Sequence, residues 1–166
     1  EQIRLSQELD MLDSYLYIQN TAKKGVLHLV KEISEPDVLE YLVPKFLLQP
    51  VVENAIVHGL VQNPLSGTIT LSIQAVGHTL HLIVSDTGQG MTLDTLDALR
   101  HRIRAVEPPR TDGKHGFGLW STAARLRLQY DDKADISIDS QEGQGTTVHI
   151  WLPVQRERRT QDAKQG

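Results

Sequence analysis

Apolar residues recur at helical spacing over residues 2–22. Leu5, Leu9, Leu12 and Leu16 form one line, with Met11, Tyr15 and Ile18 alongside and acidic groups between. This predicts an amphipathic helix, packed on its own domain or running as a connector between domains. VLHLVKEI at 26–33 reads as a strand. The apolar stretch around Asn54 reads as a helix, with Pro44 suited to its first turn. Two alternating runs, TITLSIQAV at 68–76 and TLHLIVSD at 79–86, are joined by Gly77 and His78 alone, the spacing of a hairpin. Ile69, Leu71 and Ile73 share a side with Leu80, Leu82 and Val84, so the opposite side is wetter. Residues 92–115 are rich in Gly, Pro and charge. Within them LDTLDALRHRI fits a short helix, while EPPRTDGKHG fits no regular element, as in a functional lid or a disordered loop. A helix at 118–130 follows, then a hairpin of ADISIDS and TTVHIWLP around the turn EGQG. Strands and helices do not strictly alternate, so the predicted class is α+β. The layout is a two-layer α/β sandwich, its mixed, mostly antiparallel sheet covered by helices on one face.

Composition narrows this. A chain of 166 residues, 39% apolar, is most economically one domain. Its net charge of −4 gives no reason to expect nucleic acid or a polybasic membrane arm. Without cysteine it can form neither a disulfide nor a thiolate metal site. No apolar run approaches the roughly 18 residues of a membrane span. The chain opens on a helical pattern without Met, as expected of a fragment of something longer. Residues 1–22 are expected to lead in from a preceding domain, 23–154 to form the main domain, and the polar tail 155–166 to fray.

Four places carry polar groups that a plain core does not need. In VVENAIVHGL at 51–60, an Asn, a Glu and a His interrupt aliphatic residues. On a wheel of about 100° per residue, Leu48, Val51, Val52, Ala55 and Gly59 share a face, and Glu53 lies opposite. Asn54 and His58 stand one turn apart on the flank, with Pro50 one turn earlier, placed either to meet a ligand or to bond nearby backbone. In SDTGQGM at 85–91, Asp86 ends a strand, and Gly88 and Gly90 follow. The glycines allow close approach of a flat ligand, whose exocyclic amine Asp86 could accept; a turn with an Asx-type bond is the plainer alternative. In GKHGFGLW at 113–120, Gly116 and Gly118 precede a helix starting near Leu119, with Lys114 and His115 as donors. This is an anion site or a hinge. In GQGTTVHIWLP, Thr146 opens the last strand and offers a hydroxyl.

In order and spacing these segments resemble the N, G1, G2 and G3 elements of the GHKL ATPases, which include gyrase B, heat-shock chaperones, MutL and sensor histidine kinases and share the Bergerat fold. VPKFLLQPVVENAIVHG and GFGLWSTAARLRLQY resemble the LytS/YesM-like sensor histidine kinases in particular, and LSQELDMLDSYLYIQN resembles the helix leading into their catalytic domain. The resemblance covers nearly the whole chain. It implies an ATP-binding catalytic domain that presents its γ-phosphate to a histidine elsewhere, with ATP and Mg²⁺ as cofactors. Asn54 would hold Mg²⁺ and His58 would lie beside ribose or phosphates. Asp86 would read adenine, with Thr146 in support and Gly88, Gly90 and Met91 around the base. Lys114, His115, Gly116, Gly118 and Leu119 would surround the phosphates beneath the lid. Implied partners are a dimerisation and phosphoacceptor domain of the same protein, a homodimeric whole and, indirectly, a response regulator. The implied location is the cytoplasmic side of a membrane sensor.

Departures from that pattern sharpen the expectation. Where many such kinases carry Lys or Arg three residues after the Asn, this chain has Val57, and Ser121 replaces the usual Asn of the G2 element. Lys114, His115 and Arg125 are candidate substitutes, with plain solvation on its helix as the alternative for Arg125. The place of the water-activating Glu in hydrolysing members belongs to Pro50, which takes no proton, so transfer is favoured over rapid hydrolysis. No P-H-F-L-F-N-like acceptor phrase occurs among the contexts of the seven histidines, so little autophosphorylation is expected.

Overall fold

Alternation of apolar and polar positions builds the centre of the molecule. A computed structural model describes residues 1–23, 27–59, 67–105 and 117–157. Strands β2 (His28–Ile33), β4 (Thr68–Val76), β5 (Thr79–Asp86), β6 (Asp135–Gln141) and β7 (Gly145–Pro153) form one five-stranded sheet in the order β2-β4-β5-β7-β6. Only the β2–β4 pair is parallel. Ile69, Leu71, Ile73, Leu80, Leu82, Val84, Val148, Ile150 and Leu152 are buried on one face, as the period of two requires. Against that core lie the buried residues of α1 (Leu5–Lys23), α2 (Gln49–Asn54), α3 (Leu93–Arg104) and α4 (Phe117–Tyr130). The α+β sandwich with one covered face is what the pattern predicted.

Helix α1 buries Leu5, Leu9, Leu12 and Leu16 in this same core, so it packs on its own domain. It starts at Leu5 rather than at residue 2, because β1 (Gln2–Arg4) pairs antiparallel with β3 (Leu42–Pro44). Pro44 therefore ends a strand, where a two-stranded ribbon tolerates its missing N–H, and Pro50 takes the first turn of α2. The tail, expected to fray from Gln155, is held at its start. The Gln155 carbonyl accepts the Leu42 amide at 2.8 Å, and Arg156 donates to the Tyr41 hydroxyl at 3.0 Å. The lid region begins with an ordered helix: the Thr92 hydroxyl caps α3 by accepting the Thr95 amide at 3.3 Å, and Leu96, Leu99 and Ile103 are buried. Its remainder at 106–116 lies outside the described residues. No helix among the described residues is long and apolar enough to cross a membrane.

Candidate functional site

The end of β5 meets the start of β7, the chain just after α2 lies against both strands, and α2 packs against α4. Asp86, the last residue of β5, is only 7% exposed and pairs in register with Thr146 of β7. Its carboxylate accepts the Gly88 amide at 2.8 Å and the backbone amide of Thr146. Burial pushes the carboxyl group up from the ordinary Asp range, and the two amides oppose that shift in part. An ionised carboxylate offers about four lone-pair positions, so two remain for a ligand donor. The Thr146 hydroxyl pairs with Ser140 Oγ at 2.9 Å, which fixes its orientation.

Two glycines near Asp86, Gly90 and Gly145, closely approach the protein's own backbone. A Cβ on Gly90, where φ is +66°, would stand 2.0 Å from the Gln141 carbonyl oxygen, and one on Gly145 would stand 2.0 Å from that of Asp86. The Gly143 amide donates to the Gln89 carbonyl at 2.7 Å. The loop after β5 is thus pressed onto the β6–β7 turn, and Gly90 is the residue that lets them meet. Met91 packs partly on the core and lines an open cavity of about 360 Å³ with Leu93, Asp94 and Ser140.

Asn54 closes α2 half-buried, and its carboxamide has no hydrogen bond among the described residues. Beyond it the backbone widens into a π turn over Ala55–Gly59. In so wide a turn a four-residue step falls short of a full turn, whereas in an α-helix it overshoots one. The predicted wheel is that of an α-helix, whereas His58 falls within this turn, and its side chain lies outside what is described. Val57 is 51% exposed. Glu53 turns away from the site, accepting Gln49 Nε2 at 3.0 Å. With burial as the larger cause, Glu53 also helps push the Tyr15 hydroxyl of α1 up to about 12.

Pro50 and Gly118 face each other: a Cβ on Gly118 would lie 3.5 Å from Pro50 Cβ, so α2 and α4 meet closely there. Phe117 and Gly118 are the first described residues of α4, and the Leu119 side chain is fully buried in the core. Lys114, His115 and Gly116 lie outside the described residues. Arg125 is half-buried, and its Nη2 donates to the Lys45 carbonyl at 3.0 Å. The sequence pattern did not single out Trp120 and Arg127, which donate to the Ala105 carbonyl at 3.0 and 3.2 Å and so hold the residue that follows α3. Nor did it single out Glu8, a buried acid on α1. Among the described residues no cluster of three His, Cys, Asp or Glu could hold a metal. The unpartnered Asn54 side chain offers a single amide oxygen, a hard donor of the kind Mg²⁺ takes beside water and phosphate oxygens.

The family described as histidine kinase-, DNA gyrase B- and HSP90-like ATPase matches over residues 44–156. The sensor protein kinase HptS of Staphylococcus aureus is 32% identical over 154 residues, covering 93% of this chain and 28% of HptS. The chain thus spans under a third of that relative's length. Among solved structures, the nucleotide-free catalytic domain of histidine kinase ThkA matches with a TM-score of 0.62 at 14% identity, covering 96% of this chain and 98% of that one. Full-length ShkA in complex with AMPPNP matches with a TM-score of 0.62 at 21% identity, covering 94% of this chain and 31% of ShkA.

Proposed function

We propose, for a chain that belongs to the histidine kinase-, DNA gyrase B- and HSP90-like ATPase family, the role of the ATP-binding catalytic domain of a sensor histidine kinase. In this reading the domain holds Mg·ATP and presents the γ-phosphate to a histidine on a separate domain of a homodimeric protein, from which a response regulator is served. The observation that carries it is Asp86: a desolvated carboxylate at a strand end, held by two amides and still able to accept. An adenine amine is a donor of the right kind. Gly88 and Thr146 hold that carboxylate, and Met91 follows in the same loop. The complex of ShkA with AMPPNP supports nucleotide binding on the same fold.

The unpartnered Asn54 carboxamide would hold Mg²⁺, whose contribution is to neutralise charge on the transferring phosphoryl group. The first-turn amides of α4, with Lys114, His115 and Gly116 before them, would meet the phosphates. Transfer is favoured over hydrolysis because Pro50 stands where a base would act and packs against Gly118, while Glu53 is engaged with Gln49. Exposed Val57 and the engaged Arg125 supply no phosphate contact, which favours modest affinity.

The test is titration with a fluorescent ATP analogue, with and without Mg²⁺. Saturable binding below millimolar nucleotide that is tightened by Mg²⁺, with the tightening lost in Asn54→Ala, is the expected result. No binding at millimolar nucleotide rejects the reading.

A further inference from the structure

Residues 45–48, which launch α2, are gripped from two sides. Glu8 of α1 is 2% exposed, and its carboxylate oxygens each accept one backbone amide of this segment: Phe46 at 2.9 Å and Leu48 at 2.8 Å. From α4, Arg125 donates to the carbonyls of Lys45 at 3.0 Å and Phe46 at 3.5 Å. Between these grips Phe46 has a φ of +58°, a conformation that residues with side chains rarely adopt. Its ring is 44% exposed, so burial of the ring does not impose that backbone. Amides on either side of a left-handed residue point into one concavity suited to an anion. Glu8 fills it. Leu48 is the N-cap of α2 and has no capping side chain of its own, so the carboxylate acts as a cap lent by another helix.

The same segment is tied to the start of the chain. β1, just before α1, pairs with β3, just before Lys45, and the Lys45 amide donates to the Glu1 carbonyl at 3.2 Å. The entry of α1 and the launch of α2 are therefore fastened together, and Asn54 lies at the far end of α2. Asp86 stands apart from this path, on β5.

We propose that Glu8 is a positioning residue for the magnesium-dependent part of nucleotide binding: through segment 45–48 and α2 it sets the place of the Asn54 carboxamide. A displacement of α1 then alters how the metal and phosphates are held and leaves adenine recognition at Asp86 unchanged. This inference rests on the nucleotide-binding reading above.

The experiment titrates the parent, Asn54→Ala, Glu8→Gln and Arg125→Gln with the ATP analogue, in Mg²⁺ and in chelator. The gain in affinity that Mg²⁺ gives the parent and not Asn54→Ala sets the scale. Glu8→Gln keeps the side-chain size but turns an amide nitrogen towards one of the two N–H groups. It is expected to bind about tenfold more weakly in Mg²⁺ and within about twofold of the parent in chelator, the loss of one charge-assisted bond being felt at one end of the ligand only. Equal weakening under both conditions, the mark of a merely structural role, overturns the proposal, as does full retention of the gain. If Glu8→Gln does not fold, Arg125→Gln, which frees the same segment from the α4 side, decides by the same criteria. A parent that binds no nucleotide rejects the functional reading. One that binds without a magnesium gain removes the role of Asn54 and this inference with it. A parent with that gain, matched by the variant, rejects Glu8 alone.

Discussion

Asp86 sets stability against binding within a single side chain. Because burial raises its folded-state pKa, the folded protein holds this proton more tightly than the unfolded chain does. The stability it contributes is present below the ordinary carboxylate range and is lost as pH rises through the raised value. At neutral pH the ionised group therefore lowers the stability of the free protein. Asp86→Asn removes that charge and retains an oxygen for the Gly88 and Thr146 amides. The variant should melt at or above the parent's temperature by circular dichroism at neutral pH. It should also bind the ATP analogue about tenfold or more weakly, since a hydrogen bond to a charged group contributes about 1.5–3 kcal/mol. A variant that melts lower and binds as tightly as the parent contradicts both halves of the argument. The place of Asp86 was legible in the chain, since a strand pattern ending in D-x-G-x-G puts a carboxylate at the strand end, and the Asx-type alternative was legible too, as the bond from the Gly88 amide. What Gly90 meets was not. Its freedom is used by the Gln141 carbonyl, and no local pattern near residue 90 reports a backbone fifty residues away.

At the level of elements, the contact between the loop after β5 and the β6–β7 turn shapes the end of the candidate site around Asp86. Two glycines with positive φ test it. Gly90 (φ +66°) has a backbone carbonyl 2.0 Å from where a Cβ would go, whereas Gly143 (φ +77°) has nothing within 4 Å. Gly143→Ala should cost about 1 kcal/mol, from backbone conformation alone. Gly90→Ala should cost about 2–4 kcal/mol, because backbone must also move. Urea unfolding at neutral pH measures both, and equal costs would mean that the loop and turn do not press on each other. The hairpins, α3 and the last helix were legible because their periods are strong and their turns rich in glycine. The β1–β3 ribbon and the π turn at Ala55–Gly59 were not: the first depends on a partner about forty residues away, and the second departs from the very period used to read a helix. Asn54 lies within the regular part of α2, whereas His58 falls in the π turn.

Across the whole molecule, the face of the sheet opposite the helices carries a chain of polar contacts spanning four strands. Gln74 Nε2 meets His81 Nδ1 at 3.1 Å, His81 Nε2 meets His149 Nδ1 at 3.1 Å, and His149 Nε2 lies 3.6 Å from Asp139. Trp151 stacks on His81 with ring centroids 4.8 Å apart. Burial, and secondarily the neighbouring His149, hold the His81 pKa below the ordinary imidazole value, so the folded state binds this proton more weakly than the unfolded chain. The resulting stability is complete above the ordinary imidazole range and is lost as pH falls through it towards the lowered folded value. The urea midpoint should therefore fall between about pH 7.5 and about pH 5.5, and His81→Gln should flatten that slope. An unchanged slope in the variant assigns the pH dependence to other groups. Asp86 contributes with the opposite sign, so a double variant with Asp86→Asn separates the two. Both faces of one sheet thus respond to pH in opposite directions, while the reaction proposed for the covered face needs a histidine from outside. With γ-labelled ATP the chain alone should acquire little acid-labile label, because His81 and His149, which the comparison of motifs gave no acceptor role, are tied to Gln74, Asp139 and each other on the face opposite the helices and Asp86. Substantial labelling that persists in a His81→Gln, His149→Gln double variant and maps to another of the seven histidines would place an acceptor within this chain and refute that division of labour.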